Sequence, residues 1–179
     1  MKNIILGITG SIAAYKAADI ANSLTKCGYS VHTVMTASAA EFITPLTLQT
    51  LTKNKVYCDM FASYVPTEVE HISLAKKADL VIVAPATANF IAKAAVGLAD
   101  DMLTTVLLAV RGIPIVIAPA MNTAMYENPV TQKNIRLLHD LGFHFIEPRE
   151  ARLACGDLGR GALADVDVIL SYVHKVLGD

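Results

Sequence analysis

Small and hydroxyl-bearing residues occur at four points of the sequence, each directly after a run of apolar residues. These stretches are 9–11 (TGS), 36–38 (TAS), 85–89 (PATAN) and 119–122 (PAMN). Small residues allow a ligand close to the backbone, and hydroxyls together with the N–H groups of a helix start suit a phosphate. The sequence has neither the GxGxxG nor the P-loop pattern, so a dinucleotide or ATP site is not indicated. A mononucleotide such as FMN fits these stretches, although Ser and Thr that only cap helices would give the same pattern.

Three other side chains are candidates for direct chemistry. His71 stands where a polar loop meets a predicted helix, and a neutral imidazole is a competent general base near neutral pH. Asn122 follows a predicted strand, and its amide NH₂ would bind a carboxylate. Cys155 lies in the glycine-containing stretch 153–163, which is typical of a mobile lid, and its thiol would donate a proton. The residues alone leave open a capping role for His71 and Asn122 and an unreactive Cys155.

The remaining histidines and cysteines are expected to be structural. The histidines of this group, predicted inside a strand or on amphipathic helices, are His32, His139, His144 and His174. Cys27 and Cys58 are predicted to be buried at the ends of elements. Three cysteines at wide spacing, without a CxxC motif or a Cys/His cluster, predict neither a disulfide framework nor a metal site. They favour a reducing cytoplasm.

The elements that would position these residues alternate between apolar strands and helices. Strands are predicted at 3–9, 30–35, 56–60, 79–84, 113–118 and 143–146. Helices are predicted at 11–28, near 39, after 45, at 71–77, after 89 to about 110 with a break at 97, at 128–142 and at 165–177. Residues 147–164, with three glycines and one proline, are predicted to form a long loop. Strands that are apolar throughout indicate a doubly wound parallel sheet covered on both faces, with its ligand site beyond the carboxyl ends of the strands.

The composition excludes several classes of protein. Among 179 residues, 54% are hydrophobic and 17% are charged, and the formal net charge is −1. Without a long basic tract, a nucleic-acid partner is not expected. No apolar run reaches the 18 or so residues of a membrane span, and no signal peptide is recognised, so a cytoplasmic protein is predicted. Soluble domains carry about 25% charged residues, so the low charge predicts a large core and a face buried against other subunits.

Four stretches in this order resemble the homo-oligomeric flavin-containing cysteine decarboxylases. They are 71–79 (HISLAKKAD), 85–89 (PATAN), 119–126 (PAMNTAMY) and 153–156 (LACG). The resemblance extends from Ile4 to the C-terminal helix, and the PAMNxxM stretch with its paired histidine and cysteine is the most specific part. It implies one FMN-binding domain over residues 1–179, with a three-layer α/β/α, Rossmann-like or flavodoxin-like fold. It also implies a homo-oligomer, either a trimer or a dodecamer built from trimers.

The resemblance implies a role for each matched position. The residues implied to hold the phosphate and ribityl chain of FMN are Gly10, Ser11, Thr36 and Ser38. Those implied to lie along the flavin are Thr87, Ala88, Asn89, Phe90 and Met121. Those implied to contact a small-molecule substrate are Asn122, at the carboxylate of its cysteine end, and the covering flap of Arg152, Leu153 and Ala154. His71 would be the base and Cys155 the proton donor.

The implied activity is decarboxylation of 4′-phosphopantothenoylcysteine to 4′-phosphopantetheine in coenzyme A biosynthesis. Oxidation of the thiol to a thioaldehyde, with hydride passing to FMN, would create an electron sink β to the carboxylate. After CO₂ leaves, the reduced flavin would return the hydride and Cys155 would supply a proton, so no external electron donor is needed. Because 179 residues leave no room for it, the ligase that attaches the cysteine is expected to be a separate protein.

Other functions compatible with the family are a peptidyl-cysteine decarboxylase that stops at the enethiol, and a non-catalytic FMN-binding regulator or electron carrier. Cys155 argues against the first, because those enzymes lack the flap cysteine. His71, Asn122 and Cys155 together argue against a regulator, and an electron carrier would need a redox partner. One departure from the family is Ala162, which stands where the bacterial bifunctional enzymes carry an arginine. It raises the question of which basic residue of this segment, if any, meets the substrate.

Overall fold

The computed structural model describes residues 1–61, 69–152, 156 and 158–178. Its central element is a six-stranded sheet made of β1 (Asn3–Ile8), β2 (Ser30–Met35), β3 (Val56–Tyr57), β4 (Leu80–Ala86), β5 (Ile115–Pro119) and β6 (His144–Phe145). All neighbouring strands are parallel, in the order β3-β2-β1-β4-β5-β6. The order reverses between β1 and β4, which is where a doubly wound sheet opens a crevice for its ligand. The predicted fold class is therefore confirmed.

Helices cover both faces of this sheet. They are a 3-10 helix (Ile12–Lys16), α1 (Ala17–Lys26), α2 (Ala37–Ala40), α3 (Pro45–Thr52), α4 (Glu70–Lys77), α5 (Ala88–Val96), α6 (Met102–Ala109), α7 (Thr123–Glu127), α8 (Pro129–Asp140) and α9 (Val166–Leu177). Within the described ranges, none of these helices combines the length and the apolar character needed to cross a membrane.

Two apolar clusters separate the helices into two layers. On one face, Leu24 of α1 packs in the same cluster as Ile169 of α9. On the other face, Leu74 of α4, Phe90 of α5 and Leu138 of α8 share a second cluster. All seven residues of β4 are buried, because helices cover the strand on both sides. This arrangement is the three-layer α/β/α architecture.

The prediction of a long loop over residues 147–164 is wrong. Two segments of this stretch form an antiparallel hairpin of β7 (Arg149–Arg152) and β8 (Leu158–Ala162). A Cβ on Gly161 would lie 2.3 Å from the carbonyl oxygen of Met121, and one on Gly159 would lie 2.3 Å from Thr123 Oγ1. Gly161 also has a φ of 151°. These two glycines are thus needed for close packing of β8 on the loop after β5, and not for the lid mobility attributed to them from the sequence.

Candidate active site

Thr9 links the two loops that flank the reversal of strand order. Its Oγ1 donates a hydrogen bond to the carbonyl oxygen of Pro85 at 2.8 Å and accepts one from the N–H of Thr87 at 2.9 Å. The N–H of Thr9 also donates to the Pro85 carbonyl, at 3.2 Å. Because the side chain is buried, these bonds fix the loop after β1 against the loop after β4. The sequence analysis included Thr9 in the first candidate stretch, but the resemblance gave it no individual role.

Three of the predicted hydroxyls cap helices. Each accepts a hydrogen bond from a backbone N–H: Ser11 from Ala13, Thr36 from Ala39 and Thr87 from Phe90. These three hydroxyls therefore cap helices. The sequence analysis left capping open as the alternative to phosphate binding. A hydroxyl that accepts one hydrogen bond keeps its own proton to donate, so the two roles are compatible.

The other predicted cofactor residues lie on the same edge of the sheet. A Cβ on Gly10 would lie 2.3 Å from the Cβ of Ser38, so the loops after β1 and β2 are in close contact. Ala88, Asn89 and Phe90 form the first turn of α5. The side chain of Phe90 is buried in the core, which leaves only its main chain for a ligand.

The donors on this edge fit FMN. The strands β2, β1 and β4 are neighbours, so the loops and helix starts at 36–38, 9–11 and 85–89 adjoin one another. These loops offer hydroxyls and small residues and contain no acidic residue that would repel a phosphate. We name them the neutral loops.

A cavity of about 350 Å³ opens beside the neutral loops. It lies between the 3-10 helix, the loop after β5 and the β7–β8 hairpin. Its lining residues are Ser11, Ile12, Ala13, Tyr15, Lys16, Ala120, Met121, Asn122, Arg149, Ala151, Arg152, Gly161, Ala162 and Leu163. The structure thus brings together four residues predicted for the site: Ser11, Met121, Asn122 and Arg152. Leu153, Ala154 and Cys155, also predicted for the site, lie outside the described residues.

The loop after β5 holds Met121 and Asn122 in place. The N–H of Met121 donates to the carbonyl oxygen of Gly161 at 2.9 Å, which joins this loop to β8. Oδ1 of Asn122 accepts a hydrogen bond from the N–H of Ala124 at 2.9 Å and so caps α7. With its oxygen used in this way, the amide of Asn122 has a fixed orientation.

His71 is not among the residues that line this cavity. It lies half-buried in the first turn of α4, in the helical layer on the second apolar cluster. A crossover helix runs antiparallel to the strands it joins, so the start of α4 reaches the carboxyl edge of the sheet. His71 therefore stands at the expected edge, but the structure of one chain does not place it with Asn122.

Arg160 holds the hairpin against α7 and is not among the lining residues of the cavity. Its guanidinium forms an ion pair with Glu147 and lies over the ring of Tyr126, 5.7 Å from the ring centre. The hydroxyl of Tyr126 donates to the same Glu147 carboxylate at 3.2 Å. Burial, and next the charge of Glu147, raise the pKa of Tyr126. The basic residue of segment 159–163 thus has a structural role, whereas Ala162 lines the cavity.

The remaining histidines and cysteines mostly make structural contacts. His174 Nδ1 lies 2.8 Å from the hydroxyl of Tyr29, and His144 Nδ1 lies 3.3 Å from that of Tyr172. Cys27 was predicted to be buried but is exposed, because it follows the last turn of α1. In the described part of the chain, no three His, Cys, Asp or Glu side chains cluster as metal ligands.

The chain belongs to the Flavoprotein family, whose profile matches residues 1–178. It is 52% identical to the probable phosphopantothenoylcysteine decarboxylase of Streptococcus mutans, over 98% of this chain and 99% of that protein. It is 47% identical to the coenzyme A biosynthesis bifunctional protein CoaBC of Bacillus subtilis over 97% of this chain, which spans only 43% of that protein.

Solved structures show the same likeness. A cysteine-to-serine mutant of PPC decarboxylase complexed with pantothenoylaminoethenethiol superposes with a TM-score of 0.93 at 34% identity, over 99% of both chains. The FMN-dependent cysteine decarboxylase SpaF superposes with a TM-score of 0.86 at 32% identity, over 99% of this chain and 95% of that chain.

Proposed function

We propose that this protein is an FMN-dependent enzyme that decarboxylates 4′-phosphopantothenoylcysteine to 4′-phosphopantetheine in coenzyme A biosynthesis. The observation that carries the proposal is the 52% identity, over nearly the full length of both chains, with the probable decarboxylase of Streptococcus mutans. The similarity to an FMN-dependent cysteine decarboxylase supports the cofactor. The superposition on PPC decarboxylase, whose ligand carries a pantothenoyl group, supports the substrate class.

FMN would be held by the neutral loops. The residues that would hold its phosphate and ribityl chain are Gly10, Ser11, Thr36 and Ser38, and those along the ring are Thr87, Ala88, Asn89, Phe90 and Met121. When bound, the flavin supplies a two-electron acceptor that later returns the electrons. The protein contributes hydroxyl groups that donate hydrogen bonds to the cofactor. It also fixes the geometry of the loops through the hydrogen bonds of Thr9.

The chemistry on the substrate would be divided among four parts of the chain. Asn122 binds the carboxylate through its amide, which its bond to Ala124 holds in orientation. Arg152, with Leu153 and Ala154, covers the substrate. His71 removes the thiol proton, and Cys155 protonates the product after CO₂ has left.

The protein would act as a homo-oligomer, a trimer or a dodecamer built from trimers. Support comes from His71, which does not line the cavity that contains Asn122. Beside His71, the apolar side chains of Val69 and Ile72 are exposed, and a second copy would cover them. Such an assembly would bring His71 of one copy to Asn122 of another. Inactive His71→Asn and Asn122→Asp chains, refolded together, are then expected to regain part of the wild-type activity; a mixture that stays inactive contradicts a shared site.

The proposed substrate contains a cysteine that another reaction must have attached. We propose that the ligase reaction that adds the cysteine is carried out by polypeptide outside these 179 residues, in the cytoplasm. Support comes from the relative named as a coenzyme A biosynthesis bifunctional protein, of which this chain spans only 43%.

The test combines a spectrum with product analysis. The purified protein is expected to show flavin absorbance and to convert 4′-phosphopantothenoylcysteine to 4′-phosphopantetheine, measured by mass spectrometry. A Cys155→Ser protein is expected to release CO₂ but to accumulate the enethiol, because it lacks the final proton donor. A colourless protein that does not take up FMN would overturn the proposed function, and wild-type amounts of 4′-phosphopantetheine from Cys155→Ser would overturn the role of Cys155.

A further inference from the structure

The lining of the cavity beside Asn122 is cationic. Lys16, Arg149 and Arg152 line it, and none of the lining residues in the described part of the chain is Asp or Glu. Over the whole sequence, 15 Lys and Arg are balanced by 16 Asp and Glu, so this excess of positive charge is local. We name these three residues the cationic wall.

The two arginines of the cationic wall are anchored through Nε. Arg149 Nε donates to the carbonyl oxygen of Leu163 at 3.2 Å and lies 3.2 Å from Asp165 Oδ1. Arg152 Nε donates to the carbonyl oxygen of Gly156, also at 3.2 Å. Among the described residues these contacts all use Nε, which leaves the terminal nitrogens of each guanidinium to a ligand. A guanidinium fork held in this way is suited to two hydrogen bonds to one phosphate or carboxylate.

The charge of the cationic wall suits a phosphate monoester. Within the described ranges, Asp165 offsets one of its three positive charges and two remain. A phosphate monoester carries close to two negative charges at neutral pH. Ala162 pairs with Arg149 across the hairpin and also lines the cavity, and its small side chain leaves space beside the guanidinium. Lys16 lies at the end of the 3-10 helix, on a different element from the hairpin.

We propose, on the basis of the proposed function, that Arg149 together with Lys16 binds the 4′-phosphate of the substrate. Asn122 takes the carboxylate at the other end, so the cavity recognises both charged ends of one molecule. Arg149 is then a specificity-determining residue that selects the phosphorylated substrate over pantothenoylcysteine. The phosphate of FMN has the same chemistry, but the neutral loops, which carry no cation, are its proposed site.

The test measures how strongly the enzyme prefers the phosphorylated substrate. Arg149→Gln is expected to lower kcat/KM for 4′-phosphopantothenoylcysteine about 10- to 100-fold, the size of a lost charge-assisted hydrogen bond. For pantothenoylcysteine, which has no phosphate, the change is expected to stay below about threefold. Lys16→Gln is expected to act in the same selective way from the other element. Arg136→Gln is the matched control, because Arg136 is exposed on α8 and does not line the cavity.

Two results would overturn the proposal. Equal losses on both substrates would mean that Arg149 only supports the hairpin. Loss of FMN affinity with an unchanged preference for the phosphorylated substrate would mean that the cationic wall holds the cofactor instead.

A binding measurement separates this proposal from the proposed function. Calorimetry with 4′-phosphopantothenate and pantothenate needs no decarboxylation. If the wild type prefers the phosphorylated compound and Arg149→Gln loses that preference, the phosphate site stands even if no CO₂ is ever released. If the wild type binds both compounds equally, the phosphate site is refuted whatever the activity.

Discussion

The neutral loops and the cationic wall lie on the same edge of one sheet but are built in opposite ways. Thr9 holds the neutral loops together by hydrogen bonds, and these loops offer hydroxyls without any charged side chain. The cationic wall carries three basic side chains, two of them on a hairpin outside the main sheet. The neutral loops suit a cofactor that is held by hydrogen bonds and close packing. The cationic wall suits the charged group of a substrate that binds and dissociates in each turnover. On the proposals above, cofactor binding depends mainly on the neutral loops and substrate selection on the cationic wall, although Ser11 and Met121 also line the cavity.

The largest expected effect comes from a residue that belongs to neither region. His71→Asn is expected to keep the flavin spectrum but to lower the rate of CO₂ release by about 100-fold or more, the usual contribution of a general base. The measurements are the visible spectrum and the initial rate of the same preparation. A variant with full activity would overturn the role of His71, and one that loses FMN would show that His71 belongs with the neutral loops.

Substitution of Gly161 tests the hairpin side of the comparison. In Gly161→Ala the new Cβ meets the Met121 carbonyl in a backbone conformation that disfavours side chains, which costs about 1–3 kcal/mol. We expect a lower Tm and a KM for the substrate raised about tenfold, with FMN affinity unchanged. The control is Gly28→Ala, since Gly28 also has a positive φ but open space around it. An unchanged KM in Gly161→Ala would contradict the role given to the hairpin.

The difference between the central strands and the hairpin also explains why the sheet could be predicted from the sequence and the hairpin could not. The sheet was predictable because strands such as β4 are buried on both faces and are therefore apolar throughout. The hairpin was missed because β7 reads REAR and β8 reads LGRGA, which carry charges and glycines in place of an apolar pattern. The five-residue α7 was too short to give a helical period.

The site, like the fold, could be predicted only in part. Ser11, Met121 and Asn122 could be grouped because residues after parallel strands meet at one edge of the sheet. Lys16 and Arg149 were missed, because they come together only when the hairpin folds back over the 3-10 helix. The available signal was the recurrence of arginines at 149, 152 and 160, in a chain with few charges.

Thr9 offers the corresponding test of the neutral loops. Thr9→Val removes the side-chain bonds to Pro85 and Thr87 at nearly constant shape, and is expected to weaken FMN binding about tenfold. The preference for phosphorylated substrate is expected to stay. Thr33→Val is the control, because Thr33 Oγ1 is buried without a hydrogen-bond partner in the described structure and its loss should cost little. Unchanged FMN affinity in Thr9→Val, measured by fluorescence titration, would contradict the account of the loops.

The smallest expected effect concerns His32 on β2, away from both regions. Burial, and next the charge of Lys77, lower the pKa of His32 below its ordinary value of 6.5. The unfolded chain keeps the ordinary pKa of 6.5, and the folded protein has the lowered one. Between these two pKa values the unfolded chain binds more protons than the folded protein, so stability falls as the pH drops below 6.5. His32→Asn is expected to flatten this part of the Tm profile. If Tm of His32→Asn falls with decreasing pH as steeply as Tm of the wild type, another group causes the pH dependence.

We propose that this protein decarboxylates its substrate through a flavin that takes two electrons and gives them back. The most direct test is turnover without oxygen and without any added electron donor or acceptor. We expect many equivalents of 4′-phosphopantetheine and CO₂ for each FMN-loaded chain. Product formation that stops after one equivalent, or that requires an external oxidant or reductant, would contradict it.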